Sequence, residues 1–208
     1  MTRHFAFLRA INVGGHVVKM DHLRRLFEKA GFTGVETFIA SGNVIFESRA
    51  RDTRALERTI EKVLREALGY EVATFVRTQE ELEAVAAHEP FQAADVEAAR
   101  SLNIAFLAGP LDGDGERRVM ALRSEIDDFH VRGRELFWLC RGFQRDSSFS
   151  NNAFERAVGV SSTFRGVNTV RKLAAKYRAP SPSDGQKPSA SSTTRSRKAS
   201  RSRPKRRS

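Results

Sequence analysis

An arginine, two asparagines, a lysine, a serine and three glycines fall on two short segments: Arg9-Ala10-Ile11-Asn12-Val13-Gly14-Gly15, running on to Lys19-Met20, and Ser41-Gly42-Asn43. Arginine offers a two-pronged fork to a carboxylate or phosphate, lysine a point charge, and paired glycines let backbone amides approach a ligand closely. A helix opening near Met20 adds unsatisfied N–H groups and partial positive charge. Arg9, Asn12, Gly14, Gly15, Lys19, Ser41, Gly42 and Asn43 therefore form a candidate site for a small anionic ligand, phosphorylated or carboxylate. Neither G-x-x-x-x-G-K-[ST] nor G-x-G-x-x-G occurs here, so no nucleotide loop is matched. The competing reading is turn architecture, with Asn12 and Asn43 bonding local backbone and the glycines permitting tight turns. Arg9 favours the site, because Phe5, Phe7 and Arg9 alternate onto one face and a guanidinium beside two rings needs a partner.

A second constellation lies near the C-terminus. Asn151 and Asn152 open one expected helix behind Ser150, and Thr163, Arg165, Asn168 and Thr169 surround the start of the next. Two helix N-termini with polar and basic groups suit a second anion site, against ordinary N-capping by Ser150 and Thr163. Metal chemistry is not expected: His4, His16, His22, His88 and His130 never pair at ligand spacing, and Cys140 is the sole cysteine. Cys140 ends the apolar run Leu136-Phe137-Trp138-Leu139 and reads as a buried, inert thiol. Asp112, Asp114 and Glu116 lack the calcium-loop pattern and read as a solvated turn and helix start. No cofactor motif is present, and no general base has an evident environment, so enzyme status stays open.

The frame that must position these residues follows from hydrophobic periodicity. Residues 5–8 read as a strand, and Met20, Leu23, Leu26, Phe27 and Ala30 have helical spacing closed by Gly31. Residues 35–39 and 44–47 read as strands around the tight turn at 40–43. Asp52 caps a helix whose apolar face is Leu56, Ile60, Val63, Leu64, Ala67 and Leu68, stopped by Gly69, and residues 70–77 follow as a strand. The order βαββαβ is the ferredoxin-like pattern. In it strands one and two run parallel, which brings the end of strand one and the turn between strands two and three to the same edge. Thr78-Gln79-Glu80-Glu81 is a capping box for a helix to about residue 87. Past a junction at 90–100, the pattern predicts a strand at 102–108, a Gly/Asp turn at 109–115 and a helix to about 128. Strands at 129–132 and 135–141 and helices at 151–158 and 167–177 complete it. The expected class is α+β: a ferredoxin-like domain over 1–89, a smaller α+β domain over 90–178 and a disordered tail over 179–208. Any likeness between the two domains is topological, without a sequence repeat.

Charge separates the tail from the body. The chain of 208 residues has a net charge of +11, and residues 179–208 hold nine Lys or Arg against Asp184 alone. Rich in Ser and Pro and lacking apolar side chains beyond alanine, that segment cannot bury enough surface to order itself. Arg195, Arg197, Lys198, Arg201, Arg203, Lys205, Arg206 and Arg207 make it either a polybasic arm for DNA or RNA or a solubilising extension. No run of about 18 apolar residues exists to cross a membrane, so the expectation is a cytoplasmic protein, with nucleoid association through the tail. The alternative function is a nucleic-acid-binding module using the sheet and the tail, with Phe5, Phe7 and Phe46 on strands one and three.

Taken together, Leu8-Arg9-x-Ile11-Asn12-Val13-Gly14-Gly15, Lys19-Met20, Ser41-Gly42-Asn43-Val44-x-Phe46, Asn151-Asn152-x-Phe154-Glu155 and Asn168-Thr169-Val170-x-Lys172-Leu173 resemble the bacterial domain-of-unknown-function 1697 family. The resemblance spans residues 3–177 and is most specific over the first 48. It implies a two-part α+β cytoplasmic protein and carries no established activity, substrate or cofactor. Where that family pattern has Thr-x-Arg-Asn-Trp-Asn-Thr, this chain reads Thr163-Phe164-Arg165-Gly166-Val167-Asn168-Thr169.

Overall fold

In β1, Thr2–Leu8, the two-residue period sends Phe5 and Phe7 to one face and Ala6 and Leu8 to the other. The computed structural model describes residues 1–12, 15, 17–39 and 42–178; Gly14, Ser41 and the basic residues of the tail lie outside these. After β1 come α1 (Met20–Lys29), β2 (Thr33–Phe38), β3 (Asn43–Ser48), α2 (Thr53–Leu68) and β4 (Thr74–Thr78). They form the expected βαββαβ unit, an antiparallel sheet ordered β2-β3-β1-β4. Local signals place the helix ends: the Asp52 carboxylate accepts from the Arg54 amide, Gly69 closes α2 in the left-handed region, and Thr78 and Glu81 form the capping box.

The capping box opens α3 (Gln79–Ala87), and α4 (Ala93–Ala98) occupies part of the expected junction. A second sheet follows from β5 (Ser101–Leu107), α5 (Gly113–Met120), β6 (Asp127–Arg132), β7 (Glu135–Cys140), α6 (Asn151–Val158) and β8 (Ser162–Gly166), before α7 (Val167–Tyr177). Its order, β6-β7-β5-β8, repeats that of the first sheet. The protein is thus α+β, and besides α4 the element that periodicity missed is β8. Ser-Thr-Phe-Arg-Gly is too short and polar to announce a strand, and pairing to β5 defines it. The expected helix to residue 128 instead ends at Met120. Ser124 Oγ accepts from the Ile126 and Asp127 amides and donates to the Asp127 carboxylate, tying down the start of β6. Among the described residues, no helix is long and apolar enough to cross a membrane.

Three apolar clusters fill the layers. The outer face of the first sheet packs Ala6, Leu8, Val44, Phe46 and Val76 against α1 and α2. Trp138, Leu136 and Ala105 of the second sheet pack with Val119, Phe154 and Val158 of α5 and α6. Between the sheets lie Phe5, Phe7, Ile45 and Phe75 from one side and Ile104, Phe106 and Phe137 from the other, with α3 and α7 contributing Leu82, Val170 and Leu173. Phe5, Phe7 and Phe46 are fully buried, so the rings that could have stacked on nucleic-acid bases are committed to the core.

The inter-sheet layer has an approximate two-fold repeat, with each sheet sending one buried arginine into the other. From β4, the Arg77 guanidinium donates to the carbonyls of Leu107 (3.2 Å) and Arg134 (3.0 Å) and to the Glu135 carboxylate (2.6 Å). From β8, Arg165 donates to the Leu8 carbonyl (2.8 Å) and Asn43 Oδ1 (2.6 Å), with the Gly42 carbonyl at 3.4 Å. Leu8 and Leu107 are equivalent, as are Asn43 and Glu135, by their registers in the two sheets. At the centre Phe7 and Phe106 stack with centroids 3.8 Å apart and planes at 7°. Arg165 lies over Phe7 and Arg77 over Phe106. Burial pulls both guanidinium pKa values down, that of Arg165 to about 10.

His4, also fully buried, stacks on Phe46. Burial therefore lowers its pKa below 6.5. Because the unfolded chain takes up this proton at a higher pH than the native one, the contribution is complete above pH 6.5 and declines as the pH falls below it. Urea unfolding at pH 8, 7, 6 and 5 should show stability falling on the acid side by up to about 1.4 kcal/mol per pH unit from this group. His4→Leu should flatten that decline, and an unchanged slope in the variant would count against the assignment.

Candidate functional site

The two N-terminal turns meet as topology requires. The Leu8 amide donates to the Gly42 carbonyl at 2.8 Å, and Phe7 stands opposite Asn43. Gly42 adopts φ +73°, and a Cβ there would lie 2.9 Å from Ile11 Cγ2, so both conformation and space require glycine. Asn43 is buried, donating to the Phe38 carbonyl (3.0 Å) and accepting from Arg165. Asn12 accepts from the Val18 amide at 2.7 Å and closes its own loop, while Tyr70 donates to the Ile11 carbonyl. Gly15 has φ +87°, and Lys19 is an exposed residue just ahead of α1, making no capping bond. Backbone bonds of Asn12 and Asn43 serve the turns, whereas Arg9 leaves them.

Arg9 donates from Nη1 to both Glu155 oxygens, at 2.6 and 2.7 Å, and Nη2 lies 3.5 Å from Asn152 Oδ1. Glu155 also accepts from the Ser162 amide (2.6 Å), and the Ser162 hydroxyl donates to Asn151. The first motif and part of the second are therefore joined: Asn152 with Arg9, and Arg165, which also donates to Thr163, with Asn43. Ser150 caps α6 by accepting from the Ala153 amide. Thr163 lies in β8 and caps no helix; the α7 cap position is Gly166. Asn168 and Thr169 stand in the first turn of α7, where neither makes a side-chain hydrogen bond among the described residues.

Beside Arg9 the surface opens into a cleft of about 490 Å³ between the end of β1 and α2. Arg58, Lys62 and Arg65 line it at the i, i+4, i+7 spacing of one helix face, with Glu61 and Glu71. Glu61 accepts from the Thr74 amide at 2.9 Å; burial first, then the charges of Glu57 and Glu71, raise its carboxyl pKa. A contiguous groove of about 340 Å³ runs from Glu61 past Arg58 to Ala108 and Ser161. Glu57 borders this groove with its oxygens divided, one taking the Val76 amide (2.8 Å) and the other Arg54 (3.0 Å). Among the described residues no cluster suits a metal ion. Cys140 is buried, and burial pushes its thiol pKa up, leaving no activated nucleophile there.

Glu155, Glu61, Arg58, Lys62 and Arg65 escaped sequence reasoning because a charged residue opposite an apolar helix stripe reads as solvated surface. The family described as "Protein of unknown function (DUF1697)" matches residues 1–137. Among solved structures, the conserved bacterial protein SP0830 from Streptococcus pneumoniae is similar, with a TM-score of 0.69 and 23% identity over 85% of this chain and 98% of that one. No curated protein matches. The family match covers well over half of the sequence, and the chain is a member of the DUF1697 family.

Proposed function

We propose that this protein binds a small anionic ligand, phosphorylated or carboxylate, in the cleft between Arg9 and α2. The supporting observation is convergence: Arg9, Arg58, Lys62 and Arg65 line one cleft against only Glu61 and Glu71. Among the described residues neither Lys62 nor Arg65 is in an ion pair, while Arg9 is held in position by Glu155. A fixed guanidinium beside uncommitted cations gives a preorganised, positively biased pocket. The ligand lies on the α2 side of Arg9 rather than within the Asn12 loop, because Asn12 is bonded to Val18. Lys and Arg of residues 179–208 add salt-dependent affinity for DNA or RNA to this cytoplasmic binder.

Titration of inorganic phosphate, sugar phosphates and dicarboxylates, followed by thermal shift and calorimetry, tests the reading. At least one should bind, and Lys62→Ala/Arg65→Ala should weaken it by about tenfold or more while leaving the ligand-free Tm unchanged. Removing residues 179–208 should abolish DNA retention and spare the small-ligand response. Absence of any stabilisation across the panel, or a wild-type response in the double variant, would refute the cleft assignment.

A further inference from the structure

The repeat relating the two sheets exposes one inequality. The Ser162 amide donates to Glu155 as the Thr74 amide donates to Glu61, and Phe154 and Val158 of α6 are buried like Ile60 and Leu64 of α2. Glu61 and Glu155 are therefore counterparts. Arg9 likewise corresponds to Ala108: the Arg9 amide donates to the Ala73 carbonyl, and the Ala108 amide to that of Ser161. At Glu155 the other sheet supplies a guanidinium, held at 2.6 and 2.7 Å. At Glu61 it supplies only a methyl group, and the groove of about 340 Å³ bordered by Glu61, Thr74, Ala108 and Ser161 lies there.

We infer that this groove is a subsite for a ligand guanidinium, which Glu61 receives as Glu155 receives Arg9. Arg54 and Arg58 also line the groove, but among the described residues neither forms an ion pair with Glu61. Arg54 bonds Glu57, the nearest carboxylate to Arg58 is Asp52 at 4.0 Å, and among the described residues no cation is in ion-pair distance of Glu61. Glu61 retains acceptor capacity after taking the Thr74 amide, since a carboxylate has two oxygens and about four lone-pair sites. Arg58 and Glu61 line both cavities, so a single ligand reaches from the anion cleft into the groove. Its chemical class is a guanidinium compound that also carries an anionic group. The anionic half rests on the function proposed above; the cation subsite rests on Glu61 and Ala108.

Methylguanidinium and inorganic phosphate, titrated separately into the ¹⁵N-labelled full chain, distinguish the two halves. Methylguanidinium should shift the Thr74 and Ala108 amides saturably. Glu61→Gln, which keeps an oxygen for the Thr74 amide, should weaken that response by about tenfold or more. Ala108→Arg should abolish it by placing the chain's own guanidinium at Glu61, and should raise the Tm. No saturable shift in the wild type, or an unaltered response in Glu61→Gln, overturns the subsite. A phosphate response without a guanidinium response overturns the subsite alone and leaves the anion cleft standing.

Discussion

Replacing Glu135 with alanine is expected to destabilise the protein by about 3–5 kcal/mol, because it strands a buried charge. Arg77 is fully buried, and the contacts to the Val76, Leu107 and Arg134 carbonyls supply dipoles without neutralising it. The neighbouring Arg134 charge adds repulsion, so Glu135, bonded at 2.6 Å, is the principal counter-ion. Glu135→Gln should cost less, since the equivalent place opposite Arg165 is filled by the amide of Asn43. A joint change to Arg77→Met/Glu135→Leu should recover much of the loss, as apolar replacement of a whole buried pair often does. Urea unfolding measures all three, and a Glu135→Ala variant within about 1 kcal/mol of wild type would contradict the charge argument.

Truncating Phe106 to alanine should cost a similar amount, about 3–5 kcal/mol, for a different reason. Its ring stacks face to face on Phe7 at the centre of the layer joining the sheets, and each ring lies under an arginine from the opposite sheet. Loss of the ring opens a cavity where neither rigid sheet can collapse, and removes the surface on which Arg77 rests. Phe7→Ala should match it. The double variant should lose less than the sum of the singles, because much of each loss is the shared stacking contact. Strict additivity in thermal or urea unfolding would show that the two rings act independently.

Much of this architecture is legible locally. Asp52, Gly69 and Thr78 with Glu81 mark helix ends within a turn of sequence, and the βαββαβ order alone requires the Leu8 and Gly42 segments to meet. What stays hidden depends on distance along the chain. Glu155, the partner that the Phe5, Phe7 and Arg9 face calls for, is 146 residues away, and no local spacing points to it. β8 is hidden for a related reason: Thr163 and Arg165 look like polar helix-start residues until β5 is beside them. One signal was present and unused. Phe75-x-Arg77 repeats the grammar of Phe7-x-Arg9, a ring and then a guanidinium on one strand face, and Arg77 proves the more deeply buried of the two arginines.

The glutamates that shape the cleft also govern how the sheets meet the outside. β4 and β8 are terminal strands of their sheets, and such a strand ordinarily offers a row of free amides to any passing extended chain. Here the amides of Thr74, Val76 and Ser162 are already taken by Glu61, Glu57 and Glu155. An incoming strand would have to displace charged acceptors and leave carboxylates stranded against its own carbonyls. The β4 edge, with two amides held by glutamates, is therefore guarded against strand addition, and Glu155 does the same for the first amide of β8.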